Sequence, residues 1–330
     1  MPPAIPPPLA AYLESSISSP HSQILITSVL STPPTWLLLR LIYVQLHGVG
    51  DDSDNQQLPR RGSGRPESGE RKILFVSLTR PLSLWTEMGK KMGLDFHSLL
   101  KSGKIIYIDG LGYGSLAPRK DDASLLPMLP LRGLTLDYLE HALDSALASV
   151  STNATASMFT SSEFQPKSRF AAFAPSYEIP EDFQPHIIID GLDFLLASQP
   201  SLTTVSVQAL LSEFRTRSRD LVLTCNADGP LLQTATSANH DTGTPLERNH
   251  AHFLTSMAHQ SRWVSQLRGL DTGSAKDVSG VVRVSRGGAA DDDEITSTTG
   301  SGLPSHDLAD GEWLYHLKAD GSVRVWSRGE

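Results

Sequence analysis

The sequence predicts an α/β fold: a mainly parallel central sheet, flanked by helices and closed by a C-terminal β-hairpin. Apolar runs with strand character alternate with segments of helical periodicity through most of the chain. The run His186–Asp190 holds three consecutive isoleucines, which is typical of a strand buried on both faces of a parallel sheet. Near the end, Asp320-Gly321 separates two alternating apolar runs and indicates a hairpin with a two-residue turn.

The remaining elements follow from the same patterns. Strands are predicted at residues 24–30, 72–78, 104–110, 186–190, 220–226, 262–270, 278–286, 312–317 and 323–326. Helices are predicted at residues 9–16, 36–46 (N-cap Thr35), 83–92 (N-cap Ser83), 134–150, 205–217 and 246–259.

The domain organisation predicted from composition is a proline-rich arm at residues 1–20 followed by one domain at residues 21–330. Three segments near residues 49–70, 151–180 and 287–308 are rich in polar residues, Gly and Pro or in acids, and we expect them to be flexible insertions. A further polar loop is expected at residues 227–246.

Charge and cysteine content restrict the class of protein. The chain has 330 residues, a formal net charge of −8 and a pI near 5.8, so it is not by itself a strongly basic nucleic-acid binder. Any RNA contact therefore needs local positive charge or partner chains. The lone Cys225 excludes an internal disulfide and a cysteine-based zinc cage, and it fits a reducing compartment. We expect a cytoplasmic protein, with the nucleus as a second compartment.

The amino-terminal region gives no reason to expect a membrane location. Prolines occupy the positions where a secretory signal needs a charged region and an apolar core. The apolar stretch between Ile24 and Leu46 is interrupted by Pro33 and Pro34 and carries Arg40, so neither half is long enough to span a bilayer.

The junction between the first strand and the first helix is where an α/β nucleotide hydrolase carries its phosphate-binding loop. That loop needs glycines, whose backbone N–H groups point at phosphate, together with a lysine and a Ser or Thr. Here the junction reads Ser31-Thr32-Pro33-Pro34-Thr35-Trp36-Leu37, which has no glycine and no lysine. The two prolines also remove two N–H donors. The sequence therefore lacks a Walker A motif, and we predict no nucleotide or other cofactor and no catalytic residue.

Acids close two of the predicted strands. Asp190 ends the central strand, with Asp193 three residues on, and Asp109 ends a neighbouring strand. Such positions lie at the ligand-binding edge of open α/β sheets, and the magnesium-holding acid of a P-loop hydrolase occupies the same place. One interpretation is a degenerate metal or general-base cluster. The other, favoured without a phosphate loop, is a set of strand-end acids that cap turns and face solvent or a partner.

Two further motifs carry little weight. Gly110-Leu111-Gly112-Tyr113-Gly114 follows a strand but opens no helix, so it is a weak dinucleotide fingerprint. His250, His252 and His259 lie on or near one helix without accompanying cysteine or acidic ligands, so we predict no metal site.

The order of these features resembles the Elongator complex protein 6 family, the smallest of three paralogous RecA-like Elongator subunits. The resemblance covers roughly residues 20–326. It rests on the absence of a phosphate-binding loop, on the sequence runs at residues 73–77 and 188–192, and on the closing hairpin. It also rests on a spaced motif between Trp263 and Gly280. The motif residues are Leu270, Thr272, Gly273, Ala275, Asp277, Val278 and Gly280.

The resemblance implies a RecA-like fold without Walker motifs and a role as a non-catalytic subunit. Family members form a hetero-hexameric ring with the paralogous proteins 4 and 5, two copies of each. The ring docks on the catalytic Elongator subunits and binds the anticodon region of tRNA, and the complex modifies the wobble uridine. The family's ring has been associated with ATP hydrolysis, but no catalytic residue transfers to this chain.

In such a ring, the loops after the central strands face inward. We therefore predict phosphate-directed, salt-sensitive tRNA contacts, with Arg248, Arg217 and Arg219 as candidates. Two alternatives remain: a degenerate ATPase that uses Asp190 and Asp109, and a DNA-recombination paralogue of the same fold.

Overall fold

A ten-stranded sheet forms the centre of the computed structural model, which describes residues 5–48, 71–112, 128–160, 184–236, 243–273, 275–290 and 308–329. The strands are β1 (Ser22–Ser28), β2 (Ile73–Ser77), β3 (Ile105–Asp109), β4 (Met128–Pro130), β5 (His186–Asp190), β6 (Asp220–Asn226), β7 (Trp263–Arg268), β8 (Gly280–Arg286), β9 (Gly311–Leu317) and β10 (Val323–Trp326).

Nine helices accompany the sheet in these ranges. They are α1 (Pro7–Ser18), α2 (Thr35–His47), α3 (Leu82–Lys91), α4 (Phe96–Lys101), α5 (Leu136–Thr160), α6 (Leu192–Ser198), α7 (Thr204–Thr216), α8 (Gly229–Thr236) and α9 (Pro245–Gln260).

The strand order confirms the predicted fold class. The order is β10-β9-β8-β7-β1-β6-β5-β2-β3-β4, in which the seven strands from β7 to β4 are parallel and β8, β9 and β10 add antiparallel pairs. The chain leaves β1 for β2, then returns to insert β5 and β6 between them. The connection therefore changes direction beside β1, where open α/β sheets place their ligand crevice.

Each face of the sheet is covered by its own set of helices. Alternate residues of β1 separate, because Ile24 and Ile26 join one core while Leu25 joins the other. The first core receives apolar residues of α1, α2, α3 and α4, and the second receives those of α5, α6, α7 and α9. No helix in the described ranges is both long and apolar enough to cross a bilayer.

Several local expectations need correction. The polar composition of residues 227–246 predicted a loop, but α8 forms there, and α5 continues to Thr160 in a segment predicted as a loop. Neither Thr35 nor Ser83 is an N-cap, because Pro34 and Pro81 hold those positions without a side-chain hydrogen bond. The closing hairpin is present, but residues 318–322 connect its strands, so the turn is longer than two residues.

The amino-terminal segment, expected as an arm at residues 1–20 ahead of the domain, contributes to the first core. The helix expected at residues 9–16 extends over Pro7–Ser18, and its Leu9 and Leu13 are buried in the first core. The amino-terminal segment therefore packs on the domain as part of its core. Most of the insertions expected near residues 49–70, 151–180 and 287–308 lies outside the described residues.

Candidate functional site

Asp190 is the centre of a hydrogen-bonded cluster at the carboxyl edge of the sheet. The parallel register places Ser77 of β2 beside Asp190 of β5, and Thr224 of β6 on its other side. Asp190 is fully buried. A buried carboxylate needs compensating donors, because burial without them costs several kcal/mol (about 3–5 when a paired charge loses its partner).

The principal donor to Asp190 is Arg80. Its Nη1 atom lies 2.5 Å from Asp190 Oδ1, and the arginine side chain is 24% exposed. Oδ1 also accepts a hydrogen bond from Thr224 Oγ1 at 2.8 Å, while Oδ2 lies 3.2 Å from Ser77 Oγ and 3.3 Å from Thr79 Oγ1. Both carboxylate oxygens are therefore engaged, and a guanidinium stands beside the acid where a P-loop hydrolase would hold a metal ion.

The loop after β2 fixes the position of Arg80. The backbone carbonyl of Arg80 accepts hydrogen bonds from Ser77 Oγ at 2.8 Å and from the Tyr107 hydroxyl at 3.1 Å. The Trp85 indole donates to Ser77 Oγ at 3.0 Å, and the Arg80 guanidinium lies 6.0 Å from the Trp85 ring centroid. Burial raises the pKa of Tyr107 above its usual range, so its hydroxyl remains a donor.

The turn after β5 depends on a glycine. Gly191 has φ of +78° and donates its N–H to Thr224 Oγ1 at 2.8 Å. A Cβ at this position would lie 2.5 Å from Thr79 Cγ2. Only glycine accommodates both the positive φ and this close approach, so the chain can turn directly from β5 into α6 beside the Arg80 loop.

A cavity of about 290 Å³ opens beside this cluster. We call it the strand-end cavity. Its walls come from the segment between residues 28 and 34 after β1, Thr79 and Arg80 after β2, residues 191–194 after β5, and residues 224–226 at the end of β6. It therefore occupies the place of the nucleotide site in a P-loop protein, with Pro33 and Pro34 in the wall that would carry the phosphate-binding amides.

Asp193 is the acid that remains beside the cavity without an arginine partner in the described structure. Burial raises its pKa, while His250 and the backbone amide of Asn226 act in the opposite direction. His250 is itself buried, with Nε2 2.8 Å from the Asn226 carbonyl oxygen. Burial and the nearby Asp193 also raise the pKa of the Cys225 thiol well above its usual value, so this thiol is unreactive.

The structure separates the acids that could have formed a metal cluster. Ser77 pairs with both Asp109 and Asp190 in register, so those two acids lie two strands apart, roughly 9–10 Å. Asp109 Oδ1 accepts the backbone N–H of Leu111 at 3.0 Å and so caps its own turn. Asp190, in contrast, does not face solvent. In the described ranges, no group of three or more potential metal-ligating side chains is arranged to hold an ion.

The three arginines predicted to contact tRNA do not come together. Arg217 and Arg219 follow α7 at the amino edge of the sheet, next to the start of β6. Arg217 pairs there with Asp144 at 2.7 Å and with Glu213 at 3.0 Å. Arg248 lies exposed in the first turns of α9, at the carboxyl edge. A single surface along one edge of the sheet cannot include all three.

Arg80 is the residue of this cluster that sequence reasoning missed. It follows β2 in the run Ser77-Leu78-Thr79-Arg80, and its partner Asp190 is 110 residues away. The polar residues at the end of β2 could have indicated that Arg80 belongs to the site, because the carboxyl ends of parallel strands lie at one edge of the sheet. Its partner, however, depends on β2 being adjacent to β5, which the sequence does not reveal.

The fold and this site together define a class of protein. It is a mixed α/β domain with a mainly parallel sheet and without a Walker A motif, in which the acid of the central strand is paired with an arginine. A sequence model of the family described as "Elongation complex protein 6" matches residues 68–300, and the chain belongs to that family.

Curated relatives carry a matching description. Elongator complex protein 6 of Xenopus laevis is 26% identical over 218 residues, which cover 66% of this chain and 69% of that protein. Elongator complex protein 6 of Mus musculus is 25% identical over 213 residues, covering 64% and 68%. An uncharacterized protein of Pyrococcus horikoshii, solved with an unknown peptide, aligns over 96% of this chain and 97% of its own with TM-score 0.49 and 12% identity. That likeness is too distant to support a functional argument.

Proposed function

We propose that this chain is a non-catalytic subunit of a hetero-hexameric ring within Elongator, formed with the paralogous RecA-like proteins 4 and 5. In that ring it supports tRNA binding and modification of the wobble uridine by the catalytic subunits. Membership of the Elongation complex protein 6 family supports the role as an Elongator subunit. The compartment that we propose is the cytoplasm, with the nucleus as a second location.

The observation that carries the non-catalytic part of the proposal is the engagement of Asp190. An acid that holds magnesium needs a free oxygen, but here Arg80 and three hydroxyl groups surround both oxygens. The β1–α2 loop adds no phosphate-binding lysine and presents Pro33 and Pro34 instead. The same facts weigh against the degenerate ATPase that uses Asp190 and Asp109.

The test is reconstitution from purified chains. The tagged chain is co-expressed with proteins 4 and 5, and light scattering then measures the mass of the purified complex. We expect stoichiometric recovery of all three chains at the mass of six protomers. The isolated chain should show no ATP binding by calorimetry. A chain that stays monomeric beside these partners would refute the proposal, and ATP binding by the isolated chain would favour the degenerate ATPase.

The preference of the ring for tRNA or DNA distinguishes the proposed function from that of a DNA-recombination paralogue. Charge reversal of single arginines then tests the predicted tRNA contacts. The ring should bind tRNA in preference to DNA of equal length, with an affinity that falls as salt rises; the opposite preference would favour a recombination paralogue. Arg248→Glu should weaken tRNA binding by the ring and reduce its salt slope by about one. Arg219→Glu, at the other edge of the sheet, is the matched comparison, and equal effects of both would contradict one tRNA surface along the carboxyl edge.

A further inference from the structure

The size of the strand-end cavity limits what it can hold. At about 290 Å³ it is at the lower limit of the roughly 300–1,000 Å³ range of small-molecule sites. A nucleoside triphosphate would also meet Pro33 and Pro34 in place of the backbone amides that cradle phosphate. A single large side chain fits this space better than a nucleotide.

The charge of the cavity favours a cationic occupant. Its wall contains two side chains that carry full charges, Arg80 and Asp193. Arg80 is already neutralised by Asp190 in the ion pair behind the wall. His250, which lowers the pKa of Asp193, is not among the residues that line the cavity. Of the lining groups, Asp193 therefore decides the sign, and its carboxylate repels a phosphate and attracts a cation.

The other groups in the wall are those that suit a guanidinium. The ring of Phe194 is 39% exposed beside Asp193 and offers a face on which a planar cation can stack. The carbonyl oxygen of Asn226 is engaged by His250 and its side-chain oxygen by the backbone N–H of Asp228. We therefore assign the guanidinium to Asp193 and Phe194. A carboxylate next to an aromatic ring suits Arg better than Lys, because guanidinium stacks on rings and is more weakly hydrated than ammonium.

Exposed apolar residues lie at the same edge of the sheet, and two of them, Leu30 and Phe194, line the cavity. Leu30 is 86% exposed two residues beyond β1, and others lie just after a strand or in the first turn of a helix that begins at this edge. They are Leu84, Leu111, Phe194, Val205 and Leu246. Apolar side chains such as Leu30 and Phe194 beside a charged group help to exclude water when a partner covers them, as at the hot spots of protein interfaces.

We propose that the strand-end cavity receives an arginine side chain of a neighbouring subunit, which pairs with Asp193 and stacks on Phe194. This inference rests on the proposed function, because the neighbour is one of the paralogous subunits, protein 4 or protein 5. Burial raises the pKa of Asp193 in the isolated chain, and an incoming guanidinium would compensate for that cost. In this proposal a cation that joins two subunits occupies the edge at which a P-loop protein binds phosphate.

The test measures the affinity of this chain for the purified pair of proteins 4 and 5 by interferometry at several salt concentrations. Asp193→Asn keeps the shape of the side chain and removes its charge, so we expect at least tenfold weaker binding with a smaller salt dependence. Phe194→Ala should weaken binding several-fold. Asp144→Asn, which removes an equal charge from the exposed pair with Arg217, is the matched control and should leave the affinity unchanged.

The outcomes separate this inference from the proposed function. If the wild-type chain does not bind the pair at all, the proposed function fails. If it binds and Asp193→Asn binds equally well, the arginine contact is wrong while the proposed function stands. Loss of affinity in Phe194→Ala alone would indicate an apolar occupant and would also overturn the inference.

A photo-reactive residue at position 194 should cross-link to a peptide that contains the arginine, and circular dichroism of each variant verifies that the fold is retained.

Discussion

Two fully buried aspartates lie at opposite ends of neighbouring strands, Asp190 at the carboxyl end of β5 and Asp220 at the amino end of β6. Asp220 Oδ2 lies 2.7 Å from His186 Nδ1, and Oδ1 accepts the side-chain amide of Gln45 at 2.9 Å. Both acids thus link adjacent strands through compensating polar partners. The difference is that three partners of Asp190, namely Thr79, Arg80 and Thr224, line a cavity, whereas His186 and Gln45, the partners of Asp220, are buried.

Both acids have a structural role, although only Asp190 lies where a P-loop hydrolase holds its metal ion. At the amino edge, a buried acid with two partners has only a structural role. At the carboxyl edge, Arg80 and three hydroxyl groups give Asp190 the same structural role, although its position is that of a metal-holding acid. Our proposal therefore assigns the subunit contact at this edge to Asp193 and Phe194, which line the cavity beside it.

The largest effect is expected for Asp190→Asn. The new amide would place N–H donors against Arg80 and the surrounding hydroxyls and would remove the charge that neutralises the arginine. We expect a loss of about 3 kcal/mol in the free energy of unfolding, the lower end of the range for a broken buried pair, because Arg80 is partly exposed. Urea unfolding of the isolated chain measures this.

The control for Asp190→Asn is Asp144→Asn, which breaks an exposed ion pair and should cost less than about 1 kcal/mol. A magnesium-holding acid would behave differently, since its amide variant would lose nucleotide binding and keep the fold. An Asp190→Asn chain as stable as wild type would therefore contradict the structural role that we assign to this acid.

A smaller effect is expected for Asp220→Asn at the amino edge. The amide keeps one oxygen for one of the two partners but presents a donor to the other, so one buried group loses its hydrogen bond. We expect a loss of about 2 kcal/mol in the same urea experiment. Because Asp220 is remote from the cavity, the affinity for proteins 4 and 5 should not change; a parallel loss of affinity would show that the two edges are coupled.

Much of this comparison could be predicted from the sequence. The isoleucine run gave the bounds of β5 and placed Asp190 at its end, because burial on both faces demands such a run. The missing glycines and lysine between β1 and α2 are equally visible in the sequence. The pairing of Arg80 with Asp190 was missed because it depends on β2 lying next to β5 in the sheet. Helices α4 and α6 were missed because they are too short to give a periodic signal.

The errors at helix ends have a related cause. Thr35 and Ser83 were predicted as N-caps because their hydroxyls can accept a helix N–H. The helices instead begin at Thr35 and Leu82, directly after Pro34 and Pro81, which hold the N-cap position without a side-chain hydrogen bond. Polar composition suggested a loop at residues 227–246, although α8 forms there and packs with α9. Tertiary contacts override composition at such segments.

The smallest effect on stability is expected for Asp193→Asn, and its sign is opposite to the others. Burial raises the pKa of Asp193 in the folded chain, so folding disfavours the ionised form. The stability associated with the protonated acid is present below the unfolded-state pKa, near 3.9, and is lost as pH rises towards the raised folded-state pKa. At neutral pH the variant should therefore be more stable than wild type, by less than about 1 kcal/mol.

Urea unfolding of both chains across pH measures this difference in stability, which should disappear near pH 3.5. An isolated Asp193→Asn chain that is less stable at neutral pH would mean that the carboxylate supports the fold, as Asp190 and Asp220 do, and that it is not held available for a partner.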